Sequence, residues 1–392
     1  MNPRPLEGIV VADFTAMVSG ASCTRLLADC GATVIKIESA EGGGDLMRHA
    51  GDRMAGISSY FALYNAGKKG VVLNLKSPAG LDIAKRLIKR ADIMAENFRP
   101  GVMARLGLDY AAAKAINPQI IYCSISGFGQ EGPLADRAAY APVAHAFSGF
   151  DMVLGRASDP EGPPAPNNVM VADVLSGAYG FAAIQTALVH RLRHGVGSYV
   201  DVTLAGSMMT LIGMQIQTAQ AQNTLHAGVS FPPYRTRDGY VNIPLVSIAT
   251  FRQAYKVLGK QEWLDNPEFN TLGAIAPHRP TIIAAVAEWT AQRTTAEVDA
   301  AMTAAGVPCA VYHTPAEVYA HPHVRARGAF SPVRTEEGEF EVLNAPFSVS
   351  DTRVDALPFV PKLGGDTRDV LRDVLGCSEA EIDALAAQKA IA

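Results

Sequence analysis

The stretch from Asn168 to Asp201, NVMVADVLSGAYGFAAIQTALVHRLRHGVGSYVD, places one carboxylate, Asp173, at the head of a long apolar run. A carboxylate can attack an activated carbonyl carbon or act as a general base. At a helix start it is held by backbone N–H groups and the positive end of the dipole. Ser176, Gly177 and Gly180 keep the following turns slim, and Ala182, Ala183, Ala187 and Leu188 continue at helical spacing. The run exits through Arg191, Arg193 and His194 and stops at Gly195. An ordinary helix cap reads the same way, because Asp is a favoured N-cap residue.

Two further groups of side chains could do chemistry. The glycine-rich stretch EGGGDLMRHAGDR has Arg48, Arg53, Lys68 and Lys69 as basic neighbours, which suits an anionic ligand or a flexible turn. It lacks the Lys–Ser/Thr ending of a nucleotide-binding P-loop. Among the histidines, His145 lies inside an apolar helical pattern and reads as a core or interface residue. His321 and His323 flank a proline with no acidic or thiol set nearby to complete a metal site. The five cysteines, Cys23, Cys30, Cys123, Cys309 and Cys377, show no zinc spacing and read as reduced, buried thiols.

The elements that must position these groups begin with a strand (Ile9 to Phe14), a helix over CTRLLADCG and a second strand (Ala32 to Ser39), the start of a parallel α/β sheet. No GxGxxG joins them, so a dinucleotide is not implied. A third strand is expected over Val71 to Leu75. A helix follows, capped by Ser77 with Pro78 in its first turn. Strands over ADIMAENF and QIIYCSISGFG leave through polar loops that carry Asn97, Arg99 and, just beyond, Arg105. Tyr140 precedes the helix that holds His145, and the proline-rich linker RASDPEGPPAPNN leads into the Asp173 helix. After a methionine-rich helix from Leu204 to Gln220 the composition shifts, which places a boundary near residue 225. Asp238-Gly239 marks a hairpin in the next domain, and Ser378 with Glu381 marks a capped helix near the end.

With 392 residues the chain can bury a large core in two domains. It is 48% hydrophobic and 18% charged with a formal net charge of −4, which argues against a nucleic-acid partner. No run of 18 apolar residues or signal-like segment is read, so the expectation is a cytoplasmic protein without a membrane span.

Taken in order, the chain resembles the class III CoA-transferases, the CaiB/BaiF or formyl-CoA transferase-like family. The resemblance is carried by VADFTAMVSGASCTRLLADCGATVIKIE, GDLMR, YFALYNAGKKGVVLNLKSPAG, DIMAENFRPGVMARLGLDY, NPQIIYCSISGFGQEGP, the ADVLSG…ALVHRLRHGVGSYVDVTL block, YRTRDGYVNI and HPHVRARG. It implies a Rossmann-like α/β large domain over 1–225, a small α/β domain over 226–329, and a C-terminal segment over 330–392 that packs back on the large one. It also implies an interlocked homodimer with no permanent cofactor. Coenzyme A and acyl-CoA are substrates, met near the domain junction, and the partner substrate is a small carboxylic acid.

Residue by residue, the resemblance makes Asp173 the catalytic carboxylate. It sets Val18 in the loop beside the thioester and Arg105 against the CoA phosphates. Lys36, Arg48, Lys69, Asn97, Phe98 and Arg99 become lining for the nucleotide and pantetheine, and Tyr140 the aromatic position near the carboxylate. The formyl-CoA enzymes carry His and Gln where this chain has Ala16 and Val18, which turns the expectation from formate or oxalate to a larger acyl group. The usual acidic residue after Tyr140 is Ala141 here. The same fold hosts 2-methylacyl-CoA racemases, but their His position is Tyr140, a poor proton shuttle at neutral pH. The expected function is CoA transfer from a donor such as succinyl-CoA to a carboxylic acid, through an aspartyl anhydride and an aspartyl–CoA thioester. Racemase chemistry and non-catalytic CoA binding stand as the alternatives.

Overall fold

The computed structural model describes residues 2–157, 159, 161–222 and 231–392. It divides into two compact units, one of Met1–Gly155, Pro163–His226 and Arg325–Ala392, the other of Arg156–Gly162 and Ala227–Val324. The boundary expected near residue 225 lies outside the described residues.

The first unit is built on six parallel strands: β1 Val10–Asp13, β2 Thr33–Glu38, β3 Lys69–Val72, β4 Ile93–Glu96, β5 Ile121–Ser126 and β6 Ser198–Thr203. Their order is β3-β2-β1-β4-β5-β6, so the sheet reverses direction between β1 and β4. That reversal opens a crevice at the carboxyl ends of β1 and β4, the place where doubly wound sheets bind ligands. Buried Val, Ile and Ala fill the strands because both faces are covered. One face packs Ile83, Leu87 and Ile88 with Val370, Leu371 and Ile382. The other packs Cys23, Leu27, Ile184 and Leu188.

The Pro78–Arg90 helix starts as its sequence dictates, with Ser77 accepting from the Gly80 amide. The first helix differs: it spans Ser19–Asp29 and begins four residues before Cys23. Ser19 and Gly20 look like loop residues by propensity, but burial together with Ala21 makes them the first turn. The third strand also sits two residues early. Leu73 bridges antiparallel to Ile391 and the Asn74 amide donates to Ala390 O, so the C-terminal tail takes the edge that Leu73–Leu75 would extend. The methionine-rich helix is two, Leu204–Leu211 and Gly213–Gln222.

The Val171–His194 helix has the length and apolarity of a membrane-crossing segment. Yet Ala172, Ser176, Gly177, Gly180, Ile184, Ala187 and Leu188 are buried within the first unit, as in a core helix of a folded domain. The residues from Phe330 form an antiparallel hairpin, Phe330–Thr335 with Gly338–Leu343. Asp366 and Thr367 then accept from the Gly70 and Val72 amides of β3.

The second unit has three short antiparallel strands, Ala310–Val311, Tyr240–Asn242 and Tyr234–Arg235, with the Asp238-Gly239 turn closing one hairpin. Helices surround a core that includes Phe251, Tyr255, Val286, Val298 and Met302.

Candidate active site

Asp173 is the third residue of its helix, not the cap. Met170 holds the N-cap position without a side-chain hydrogen bond. The Asp173 carboxylate is half-buried, and no described residue donates a hydrogen bond to it. Burial therefore pushes its pKa up from 3.8 to about 6 with nothing opposing. Its charge in turn raises the Tyr64 phenol, after the larger effect of that ring's own burial.

The carboxylate lines a cavity of about 330 Å³ with Met17, Val18, Tyr140, Ala141, Pro142 and the linker residues Asn167, Asn168, Val169 and Met170. Small residues set its place. A Cβ on Gly177, one turn after Asp173, would clash with Ser22 Oγ and lie 2.7 Å from Ser19 O. One on Gly180 would meet Cys23 Sγ at 3.1 Å. The Asp173 helix thus lies against the first turns of the Ser19–Asp29 helix, and Asp173 faces the loop that precedes it.

That loop, Thr15–Val18, leaves β1 at the crevice. Asn97, at the end of β4, spans it: the Ala16 amide donates to Asn97 Oδ1 at 2.8 Å, and Asn97 Nδ2 donates to Ala16 O at 2.8 Å and Ser19 Oγ at 3.1 Å. Met17 adopts φ 62°, an uncommon left-handed conformation for a non-glycine residue. Its amide donates to Asp45 at 3.1 Å. Asp45 also accepts from Lys36 Nζ at 2.8 Å, and Lys36 Nζ donates to Thr15 O at 2.9 Å. Beneath lies a second pair, Lys68 Nζ 3.1 Å from Asp13 Oδ2. Burial raises the Asp13 carboxyl, but Lys68, Lys36 and Thr15 outweigh it and hold the pKa below 3.8. Burial draws the Lys68 ammonium down to about 8, against the pull of Asp13.

The structure brings Val18, Tyr140 and Asp173 to one cavity and Asn97 directly behind it. It does not bring the expected cations there. Lys36 is 0% exposed and spent on Asp45 and Thr15, so it is scaffold rather than ligand lining. Arg48 pairs with Glu38, donates to Pro361 O at 3.0 Å and stacks 3.8 Å over Phe61, so it too is engaged. Phe98 packs against the core. Arg99 is exposed and lines a different cavity, of about 190 Å³, with Glu96, Tyr110, Tyr122 and Tyr199. Arg105 is exposed and Lys69 half-buried, and neither forms an ion pair with a described residue. Ala16 lies in the clamped loop and Ala141 in the cavity wall.

Sequence reasoning passed over Asp45, Asn167 and Asn168, and read His145 as core. His145 is buried, but its Nε2 accepts from the Ala172 amide at 3.1 Å, one residue before Asp173. His321 Nδ1 accepts from the His323 amide at 3.2 Å. Among the described residues no three His, Cys, Asp or Glu side chains converge as a metal site would require. All five cysteines are free thiols.

The profile of CoA-transferase family III matches residues 6–367. The chain is 31% identical over 387 residues to the succinate–glutarate CoA-transferase of Agrobacterium fabrum, covering 94% of this chain and 96% of that one. It is 31% identical to the human succinyl-CoA:glutarate CoA-transferase, covering 98% and 89%. Among solved structures, a CaiB/BaiF family protein from Brucella suis superposes with a TM-score of 0.82 at 31% identity, over 95% of this chain and 100% of that one.

Proposed function

The chain belongs to CoA-transferase family III, and from that premise we propose that Asp173 is the group through which it passes CoA between two carboxylic acids. The observation that carries this reading is a half-buried, unpartnered carboxylate that opens onto a cavity at a helix start. An Asp173 oxygen attacks the carbonyl carbon of the donor acyl-CoA, and the C–S bond breaks to release CoA thiolate. The thiolate then attacks the aspartyl carbonyl of the mixed anhydride, which forms an aspartyl–CoA thioester and frees the donor acid. The acceptor carboxylate attacks this thioester and expels thiolate, giving a second anhydride. Thiolate attack on its acceptor side yields the new acyl-CoA and restores Asp173. Lysine or histidine could not form an anhydride.

Each tetrahedral intermediate needs donors for its oxyanion. The Met17 amide is taken by Asp45, and the Val18 amide, on the cavity wall, has no acceptor among the described residues. We assign it that role. Lys69, Arg99 and Arg105 supply positive charge for the CoA phosphates, a task their lack of ion pairs allows. Met17, Val18, Ala141, Pro142, Val169 and Met170 make the cavity mainly apolar, which favours an acyl group with an apolar body over formyl or oxalyl. Succinyl-CoA serves as donor, in keeping with the substrates named for the relatives. The apolar residues Val174, Val189 and Leu192, exposed on the Asp173 helix, suit burial in an interlocked homodimer. Racemase chemistry is disfavoured because the nearby His145 Nε2 is occupied by a backbone amide.

Incubation with succinyl-CoA and hydroxylamine should convert Asp173 to its hydroxamate, located by peptide mass spectrometry. A panel of acids then reads the acceptor from the acyl-CoA formed. Exchange of the α-proton of a 2-methylacyl-CoA in deuterated water, with Asp173 unmodified, would instead establish the racemase.

A further inference from the structure

The Asp173 helix starts without a side-chain cap. One of its first N–H groups, that of Ala172, is buried and ends on His145 Nε2 at 3.1 Å. For Nε2 to accept, the imidazole must be neutral and carry its proton on Nδ1. His145 Nδ1 is buried and has no hydrogen-bond partner, and Asp151 Oδ1 is likewise buried and unpartnered. The two belong to consecutive helices, Ala141–Ser148 and Phe150–Arg156, joined at Gly149, which adopts a φ of 86°. The Phe150 ring lies 6.0 Å from the imidazole, and Asp151 is the charged group that acts on it. Asp151 also ties the linker, since its carbonyl accepts from the Ala165 amide at 2.9 Å.

We infer that Asp151 and His145 form a relay that positions Asp173: the Asp151 carboxylate, through one bridging water, accepts a hydrogen bond from the Nδ1–H, which fixes the tautomer whose Nε2 holds the Ala172 amide and sets the helix start. The inference rests on the reading of Asp173 as the acylated group. Its logic is that of any imidazole whose working nitrogen is chosen by the bond its other nitrogen makes. Few other charges face the ring. The Ala141–Ser148 helix carries no second titratable group, and neither does Leu204–Leu211, which packs on it. The Phe150–Arg156 helix brings Asp151 and, at its far end, Arg156, and the first turn of the Asp173 helix brings Asp173. Burial lowers the imidazole's pKa, against Asp151, which keeps the accepting form at neutral pH. His145 and Asp151 are therefore positioning residues, outside the reacting atoms.

The test compares His145→Phe, His145→Gln and Asp151→Asn in the full-length protein, with melting midpoints measured for each. His145→Phe strands the Ala172 amide and should lower kcat for CoA transfer roughly tenfold to a hundredfold, with KM for succinyl-CoA within about threefold. His145→Gln offers an amide oxygen of similar reach and should restore kcat to within about threefold. Asp151→Asn should fall between, and it carries the test if His145→Phe does not fold. The inference is overturned if His145→Phe and Asp151→Asn keep kcat within twofold, or if the Gln variant is as slow as Phe at an unchanged melting midpoint. Hydroxylamine trapping separates the two levels. No hydroxamate on Asp173 in the unaltered protein sinks the transferase reading and this inference together. Trapping at equal rates in all variants sinks this inference alone.

Discussion

Two sets of carboxylates flank the loop Thr15–Val18, and burial acts on them alike while their partners do not. Asp13 and Asp45 lie within a neutral cluster of two acids and two lysines, and each ends on an ammonium and on hydroxyl or amide donors. There burial is outweighed and Asp13 stays ionised below its ordinary range. Asp173 has only burial, and its pKa climbs to about 6. A buried charge with every lone pair engaged is a frame, because any reaction at it would strand its partner. A carboxylate left without donors beside a cavity holds its reactivity in reserve.

Breaking the contrast at its reactive end should give the largest effect. Asp173→Asn is expected to cut CoA transfer at least about a thousandfold, measured by acyl-CoA formation, while CoA binding by calorimetry persists. The folded pKa of Asp173 is raised, so its stabilising contribution is complete below about pH 4 and lost as pH rises through about 6. The Asn variant should accordingly melt no lower than the parent at pH 7. Breaking the frame inverts the outcome. Lys68→Met leaves Asp13 without its closest cation and should cost about 3–5 kcal/mol of stability, seen as a much lower melting midpoint.

Gly177→Ala sharpens the comparison by shifting one set against the other. Its methyl would press on Ser22 and Ser19 and move Asp173 away from the loop. About tenfold to a hundredfold should be lost from kcat, with a smaller fall in melting midpoint than Lys68→Met causes. Finally, acidification should neutralise Asp173 before it disturbs the frame. Transfer should decline through pH 6, by about tenfold per unit below it, while far-ultraviolet circular dichroism stays constant over that range.

Much of this arrangement was legible from the chain. Small residues at Ser176, Gly177 and Gly180 announced slim helix turns, and Ser77-Pro78 announced a helix start, because local chemistry decides both. Asp173 lines a cavity, which its position at the head of that run did not by itself disclose. What the sequence hid were matters of long-range pairing. Lys36 and Arg48 read as cations available to a phosphate, yet Asp45 and Glu38, nine and ten residues away, fold back onto them. Asn97 read as ligand lining, but the reversal of strand order between β1 and β4 turns its amide onto Ala16. Ser19-Gly20-Ala21 read as loop, since the helix propensities of Ser and Gly are weak and packing is what makes them helical. His145 read correctly as buried, but nothing local revealed that its Nε2 would accept from the amide beside Asp173.

The clamp on Ala16 and Met17 uses main-chain atoms on the loop's side. The side chain at 16 can therefore change without unfastening the segment that carries it, whereas Val18 and Met17 are held by packing on Met47 and Phe61. A lineage could enlarge the methyl of Ala16 and inherit an intact loop, while a polar group at 18 would have to find a partner within that apolar cluster.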